Sequence, residues 1–437
     1  MNFKEQTAIE IVKTLHARGH EAYFAGGCVR DRLLGVEPKD FDIATSAGPD
    51  EVQEIFPKTV PVGVQFGVVM VVEGETPFEV ATFRSEGNYK DGRHPGTIKF
   101  STLEEDAKRR DFTVNGLYFD LKTQKVIDLV QGQRDLKAKV IRTIGDPDHR
   151  FAEDHLRMMR AIRFACQLGF EIETKTFDSV IKHSDLINKI SPERIRDEFS
   201  KTLTSAEPTR GIRLLDEAKL LIHFLPEIEK MKGVEQPSEY HPEGDVFVHT
   251  LMLLDGLKNA SIELAMGCLL HDVAKPDTFV RAVDRIRFHG HDCLGAEMAQ
   301  GICKRMAFSN AQTDLICALV AEHLRFKDAF QMRLSTLKRF LSLDRFDLHL
   351  ELHRLDCLAS HKNLQAHEFC SKKWEEFKLL PPPPLKLVTG KDLIALGLKP
   401  GPQFSEIIRA VEDAILEGNI KTRHEALEFV KTQLSKE

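Results

Sequence analysis

The chain reads as an α+β protein in which an N-terminal sheet domain is followed by an almost wholly helical remainder. Three observations predict this. Short runs rich in β-branched and aromatic residues ("EAYFAGG", "DFDIA", "QFGVVMVVEG", "PFEVATFR", "FTVNGLYFD") cluster before about residue 140, as strands do. From about residue 145 the apolar spacing turns helical, beginning with "RFAEDHLRMMRAIRFACQLG" and "SPERIRDEFSKTLTS". A length of 437 residues exceeds what one core serves and suggests about three domains.

In order along the chain, "MNFKEQTAIEIVKTLHARG" has the spacing of an amphipathic helix and not the composition of a signal peptide. The runs "QFGVVMVVEG" and "PFEVATFR" predict a hairpin, and "FTVNGLYFD" closes the sheet. The four prolines of "EEFKLLPPPP" forbid helix and mark a linker. These boundaries divide the chain into a head (1–140), a helical neck and body (141–235), a second helical domain (236–375) and a helical tail (385–437). No run of 18 apolar residues occurs, so a membrane span is not expected and the cytoplasm is the expected compartment.

With 61 basic and 67 acidic residues the formal net charge is −6, which does not advertise a polyanion partner but leaves room for a local basic strip. The eight cysteines form no CxxC pair and no disulfide-like framework, so buried, reduced thiols are expected.

The stretch "KDFDIATS" puts Asp40 and Asp42 two positions apart, on one face of an extended segment. At a separation of roughly 6 Å, with an effective dielectric near 20, two carboxylates repel by about 3 kcal/mol. A divalent cation removes that cost, and magnesium suits carboxylate oxygen combined with substrate phosphate. Glu79, opposite in facing to Phe78 and Val80, is a candidate third acid from a neighbouring strand. Gly26 and Gly27 follow a strand where backbone N–H groups could approach a phosphate closely, and Arg30 lies within reach of a triphosphate.

Together, "GGCVRDRLLG" and "DFD" resemble the signature of the nucleotidyltransferase superfamily, and the downstream stretches narrow the resemblance to the class II tRNA nucleotidyltransferase and bacterial poly(A) polymerase family, over residues of about 20 to 205. The resemblance implies two-metal phosphoryl transfer with Mg²⁺ on Asp40 and Asp42 and Glu79 as third carboxylate. It implies CTP and ATP as nucleotides and the tRNA 3′ end and acceptor arm as partner, with no membrane and no obligate protein partner. "RRDFTVNGL" looks like the family's ribose-contacting motif, with Arg110 and Asp111 as candidates. Read by itself, a charged RRD before a strand is expected to be a solvated turn.

In "EDHLRMMRAIR", Asp154 and Arg157 are three apart and are expected on one helix face. Cytosine and adenine each offer an amine donor beside a ring-nitrogen acceptor, whereas guanine and uracil offer the reverse. A carboxylate next to a guanidinium complements the first pair without any template. The stretch matches the family's EDxxR motif, with Glu153 as partner acid, and the resemblance gives Arg160 and Arg163 to the incoming triphosphate. "SPERIRDEF" matches the family's supporting helix, where Glu193 and Arg196 are expected to be structural. Arg194, Arg196, Lys201, Arg210 and Arg213 are weak candidates for tRNA phosphate contacts. Residues 83–100 occupy the position of the family's flexible loop, and their apparent completeness argues against addition of C alone.

Further on, His249, His271, Asp272, His289, His291, His323 and Asp356 form a discontinuous constellation on predicted helices. His249, "HD" at 271–272 and Asp356 resemble the H…HD…D metal site of the HD phosphohydrolase superfamily. His289, His291 and His323 would then touch a second metal or a substrate phosphate, which Lys275 could neutralise. Imidazole with carboxylate suits Mn²⁺, Ni²⁺ or Fe²⁺ as well as Mg²⁺. The leading expectation is an enzyme adding CCA to tRNA; A-only addition and poly(A) synthesis stay open. The competing classes are an HD hydrolase with an RNA-binding head and a non-catalytic RNA-binding protein.

Overall fold

The computed structural model describes residues 3–61, 64–87, 92, 97–237, 244–379 and 386–434. Eight of the eighteen residues of the 83–100 loop (88–91 and 93–96) and the four-proline linker lie outside the described residues. The chain divides into two compact units, Met1–Glu229 with Lys258–Ile262 and Arg305–Phe308, and Lys230–Leu257 with Glu263–Lys304 and Ser309–Glu437.

The first unit is built on a sheet. Its strands are β1 (Ala22–Ala25), β2 (Asp42–Thr45), β3 (Thr59–Val60), β4 (Val68–Glu73) and β5 (Thr76–Thr82); after a separate hairpin of β6 (Arg84–Gly87) and β7 (Thr97–Phe100) come β8 (Leu117–Asp120) and β9 (Lys125–Asp128). The sheet order is β3-β4-β5-β2-β1-β8-β9, antiparallel throughout except where β2 lies parallel to β5. The expected β4–β5 hairpin is present, turning through Gly74 and Glu75, and Gly74 supplies the positive φ (+63°) that a two-residue hairpin turn needs.

Alternation fixes the register. In β5, Phe78 and Val80 are buried while Glu79 is exposed. They join Ile43, Val69, Val71 and Leu117 in one core, with Ile11 and Leu15 of the N-terminal helix α1 (Phe3–Ala17). Burial of each such side chain is worth about 1.5–3 kcal/mol, and a one-residue slip would exchange Glu79 for Phe78 on the open face. Helices α2 (Gly27–Leu33) and α3 (Pro49–Ile55) contribute Val29 and Val52 to that core. On the other face, α4 (Leu103–Arg109) covers Ala25, Ala44 and Tyr118 with Leu103 and Ala107.

The helical part of the first unit comprises α5 (Gly132–Ala138), α6 (Pro147–Glu153), α7 (Arg157–Leu168), α8 (Thr174–Lys182), α9 (Pro192–Leu203) and α10 (Pro208–Glu217). One expectation is corrected here: "RFAEDHLRMMR" is not one helix. Asp154 adopts extended backbone (φ −137°, ψ 103°), and its Oδ1 accepts from Leu156 N at 3.2 Å. This side-chain turn competes with helix continuation and separates α6 from α7. Helix α7 stops at Gly169, whose φ of +64° provides the left-handed cap.

Among the described residues, the second unit is helical apart from a two-residue strand pair, Val280–Arg281 with Ile286–Arg287. Phe326, Phe340 and Phe346 centre one core, and Leu393, Val411, Ile415, Ala426 and Val430 form another in the C-terminal helices. All eight cysteines are free, as expected, but Cys293 is exposed and Cys317 half-buried, so burial is not general. Among the described residues no helix is long and apolar enough to cross a membrane.

Candidate active site

The parallel register Ile43↔Val80 sets Asp42 beside Glu79, one residue earlier on each strand and on the open face. The Asp42 carboxyl is raised to about 6, by surrounding protein mass first and then by Glu79 and Asp40, against a lowering by Arg110. Asp42 is exposed by surface area, and its two like-charged neighbours, Glu79 and Asp40, push its carboxyl in the same upward direction. Asp40 precedes the strand, with its side chain 81% exposed and 3.1 Å from Lys4 Nζ. A pair this exposed is worth at most about 1 kcal/mol and leaves most of the acid repulsion standing. An all-oxygen set of three carboxylates under mutual repulsion fits a hard divalent cation.

Gly26 sits at φ +71° and ψ −124°, a conformation for glycine alone, and a Cβ there would lie 3.1 Å from Arg110 Nη1. Gly26→Ala is therefore expected to lower stability by about 1–3 kcal/mol and to cut activity by displacing Arg110; urea unfolding and turnover would check it.

The RRD motif is not a solvated turn. Tyr118 Oη donates to Asp106 Oδ2 at 2.7 Å, and Arg110 Nε donates to Tyr118 Oη at 3.0 Å. Asp111 is buried and accepts from Arg160 Nε at 2.9 Å and from Asn115 Nδ2 at 3.2 Å, while Asn115 Oδ1 accepts from Arg30 Nη1 at 2.6 Å. Burial pushes the Asp111 carboxyl up, but Arg160, Asn115 and the Phe112 N–H together hold it well below the usual carboxylate range. Asp111 is thus an ionised, fixed acceptor joined to α2 and α7. Asn115 and Asp106 were not singled out from the sequence; both lie in or beside the RRD motif.

The expected Asp154–Arg157 pair is corrected. Arg157 is buried, and its Nη1 donates to Glu153 Oε2 at 2.7 Å and to the Arg150 carbonyl at 3.0 Å. Asp154 lies 3.3 Å from Arg194 Nη2 of α9. The break after α6 leaves the two residues joined through the backbone, Arg157 N donating to the Asp154 carbonyl at 3.1 Å, while their side chains take different partners. Arg163, expected at the triphosphate, is instead buried on Glu198, with Nε donating to Oε2 at 2.5 Å and its guanidinium 3.9 Å over the Phe164 ring. Arg30 and Arg160 also pack over Phe164, each at 5.4 Å. Glu198 lies within "SPERIRDEF", two residues beyond Arg196, which donates to the Ala307 carbonyl and to Asp197.

In the second unit His249, His271, Asp272, His291 and His323 converge and are all buried. Asp356 Oδ1 lies 3.1 Å from His249 Nε2, and Lys275 Nζ lies 2.7 Å from Asp272 Oδ2. His289 lines the adjoining pocket. Burial raises the Asp356 carboxyl, but His249 and His271 bring it well below the ordinary range.

Three family descriptions match the chain: Poly A polymerase head domain over residues 22–142, RNA and SrmB-binding site of polymerase A over 169–232, and tRNA nucleotidyltransferase domain 2 over 291–430. His249, His271 and Asp272 lie outside these ranges. With the sheet and its carboxylates, these matches define the class: a nucleotidyltransferase. The CCA-adding enzyme of Anoxybacillus flavithermus is 34% identical over 429 residues, 98% of this chain and 96% of the relative. That of Ligilactobacillus salivarius is 44% identical over 237 residues, 53% of this chain and 58% of the relative. The crystal structure of the Bacillus stearothermophilus CCA-adding enzyme in complex with CTP superposes with a TM-score of 0.78 at 27% identity, covering 100% of this chain and 99% of the other. The chain belongs to the family of CCA-adding enzymes.

Proposed function

We propose that this chain adds C, C and A to tRNA 3′ ends from CTP and ATP, in the cytoplasm, with the head at 1–140, neck and body at 141–235, a second helical domain at 236–375 and a tail at 385–437. The observation that carries the reading is the end-to-end likeness to the CTP-complexed relative, with Asp42 and Glu79 side by side on the open face of the sheet.

Asp40, Asp42 and Glu79 would hold Mg²⁺, which when bound lowers the pKa of the RNA 3′-hydroxyl and neutralises phosphate charge. The backbone at Gly26 and Gly27, free of side chains, leaves room for the triphosphate, and Arg30 stands behind it on Asn115. Asp111, ionised and held by Arg160, accepts from the ribose 2′-hydroxyl. Asp154 accepts from the exocyclic amine of cytosine or adenine, and Arg157 donates to the ring nitrogen. Guanine and uracil would set acceptor against acceptor there. Arg163 positions Arg160 through their shared partner Glu198.

The test offers tRNA transcripts ending before CCA, after one C and after CC, with each NTP separately and mixed. Stepwise extension to CCA and no further is the expected gel. A long adenosine ladder would show poly(A) synthesis, and extension of the CC-ended transcript alone would show an A-adding enzyme.

A second activity is favoured by the converging imidazoles of the second unit. His249, His271, Asp272 and Asp356 would hold a divalent cation (Mn²⁺, Ni²⁺ or Mg²⁺) and support phosphate-ester hydrolysis. Asp42→Ala should abolish incorporation and spare hydrolysis, and His271→Ala the reverse.

A further inference from the structure

We propose that Tyr118, anchored on Asp106, is a positioning residue for the nucleotide's phosphates: it holds the Arg110 guanidinium at the Gly26 turn, where Arg110 donates to the triphosphate and not to the ribose. This rests on the nucleotide-transfer reading above and goes beyond it by dividing the RRD motif between two parts of the nucleotide.

Strand register places the parts. Ala25 of β1 pairs with Asp42 of β2 on one side and with Tyr118 of β8 on the other, so the three side chains stand in one row on the same face of the sheet. With neighbouring strands about 4.8 Å apart, Tyr118 and Asp42 are separated by about 10 Å, and the small Ala25 leaves room between them. Arg110 reaches this row from above: its guanidinium lies 4.9 Å over the Tyr118 ring, and Nη1 lies 3.1 Å from where a Gly26 Cβ would stand. The rest of the guanidinium is tied down. Nε donates to Tyr118 Oη at 3.0 Å and to Asp106 Oδ2 at 3.3 Å, and Nη2 also lies 3.3 Å from Asp106 Oδ2. A carboxylate only accepts, so the Tyr118 proton points at Asp106 Oδ2, 2.7 Å away, and the phenol oxygen keeps a lone pair for Arg110. Tyr118 is 0% exposed and Asp106 1% exposed, so neither can turn to water instead. The backbone is fixed as well, because the Arg110 carbonyl accepts from Arg150 Nη2 at 2.6 Å. Arg110 has thus lost its rotamer freedom before a ligand arrives, which lowers the entropy cost of binding.

The neighbouring acid turns the other way. Arg110 has extended backbone, φ −64° and ψ 163°, and Asp111 after it accepts from Arg160 and Asn115. A guanidinium offers donors only, which matches the all-acceptor phosphate, whereas Asp111 offers the acceptor that a 2′-hydroxyl proton requires.

Calorimetry in the presence of Mg²⁺ tests this with the full-length parent, Tyr118→Phe, Arg110→Gln and the double variant. It measures Kd for inorganic pyrophosphate, CTP and dCTP, beside CTP incorporation into a tRNA transcript lacking CCA. Tyr118→Phe keeps the buried ring and removes one oxygen, so the core is retained. Arg110→Gln should raise the pyrophosphate Kd about 10–100-fold, as loss of a charge-assisted hydrogen bond does. Tyr118→Phe should raise it about 3–10-fold, the effect of leaving one long side chain to be ordered on binding. The double variant should bind pyrophosphate no more weakly than Arg110→Gln, because Tyr118 acts through Arg110. The ratio of dCTP to CTP Kd should keep the parent's value throughout. Unchanged pyrophosphate binding in either single variant, or additive losses in the double variant, would overturn the proposal. A dCTP-to-CTP ratio falling toward one in Arg110→Gln would return Arg110 to the ribose and overturn it too. A parent that incorporates no CTP while the pyrophosphate pattern holds would sink the transfer reading and leave the phosphate contact and its positioning standing.

Discussion

Asp42→Asn should lower nucleotide incorporation on the order of 10³-fold or more, equivalent to about 4 kcal/mol of transition-state stabilisation. The chain should nonetheless stay folded, because Asp42 is exposed on the open face and contributes nothing to the core below it. The change should even raise Tm at pH 7.5. A carboxyl raised from 3.8 to about 6 binds its proton more tightly in the folded state than in the unfolded one. Its ionisation above about pH 6 therefore opposes folding, and that penalty disappears as pH falls through the window toward 3.8. The Tm gain should shrink across the same window. Incorporation at limiting Mg²⁺ should fall as pH drops through about 6, and saturating Mg²⁺ should move the midpoint lower because metal and proton compete for the same oxygens. Incorporation within tenfold of the parent would remove Asp42 from the metal site.

Glu198→Ala should destabilise the first unit by about 3–5 kcal/mol, the usual loss when one partner of a buried ion pair is removed. Glu198 is 4% exposed and Arg163 is 7% exposed, so the abandoned guanidinium has no route to water without disturbing Phe164. Arg160, 3.8 Å from the same carboxylate, loses a second neighbour. The double change Glu198→Leu with Arg163→Met removes both charges and should recover most of the loss in urea unfolding. A single-variant loss below about 1 kcal/mol would contradict the assigned burial.

The strands were legible because alternation is a local property: Phe78 and Val80 inward put Glu79 outward whatever lies opposite. That Glu79 would stand beside Asp42 needed the parallel β2–β5 pairing, which the spacing of the two motifs does not contain. The helix break at Asp154 was hidden for a different reason. "RFAEDHLRMMR" keeps helical apolar spacing across the break, and the competing signal is one aspartate able to accept from the N–H two residues on. Arg163 and Glu198 were missed as a pair because they are 35 positions apart on separate helices. The imidazole cluster was readable as a set of residue types, whereas the convergence of His249, His271, Asp272, His291 and His323 exists only in three dimensions.

The three-residue joint at Asp154–Leu156 bears on how one site could accept bases of unequal size. A carboxylate and a guanidinium riding on a single rigid helix would offer one fixed gauge, suited to a one-ring or a two-ring base but not to both. Asp154 leans on α9 and Arg157 is seated on Glu153, so under the proposed base reading each jaw has its own footing.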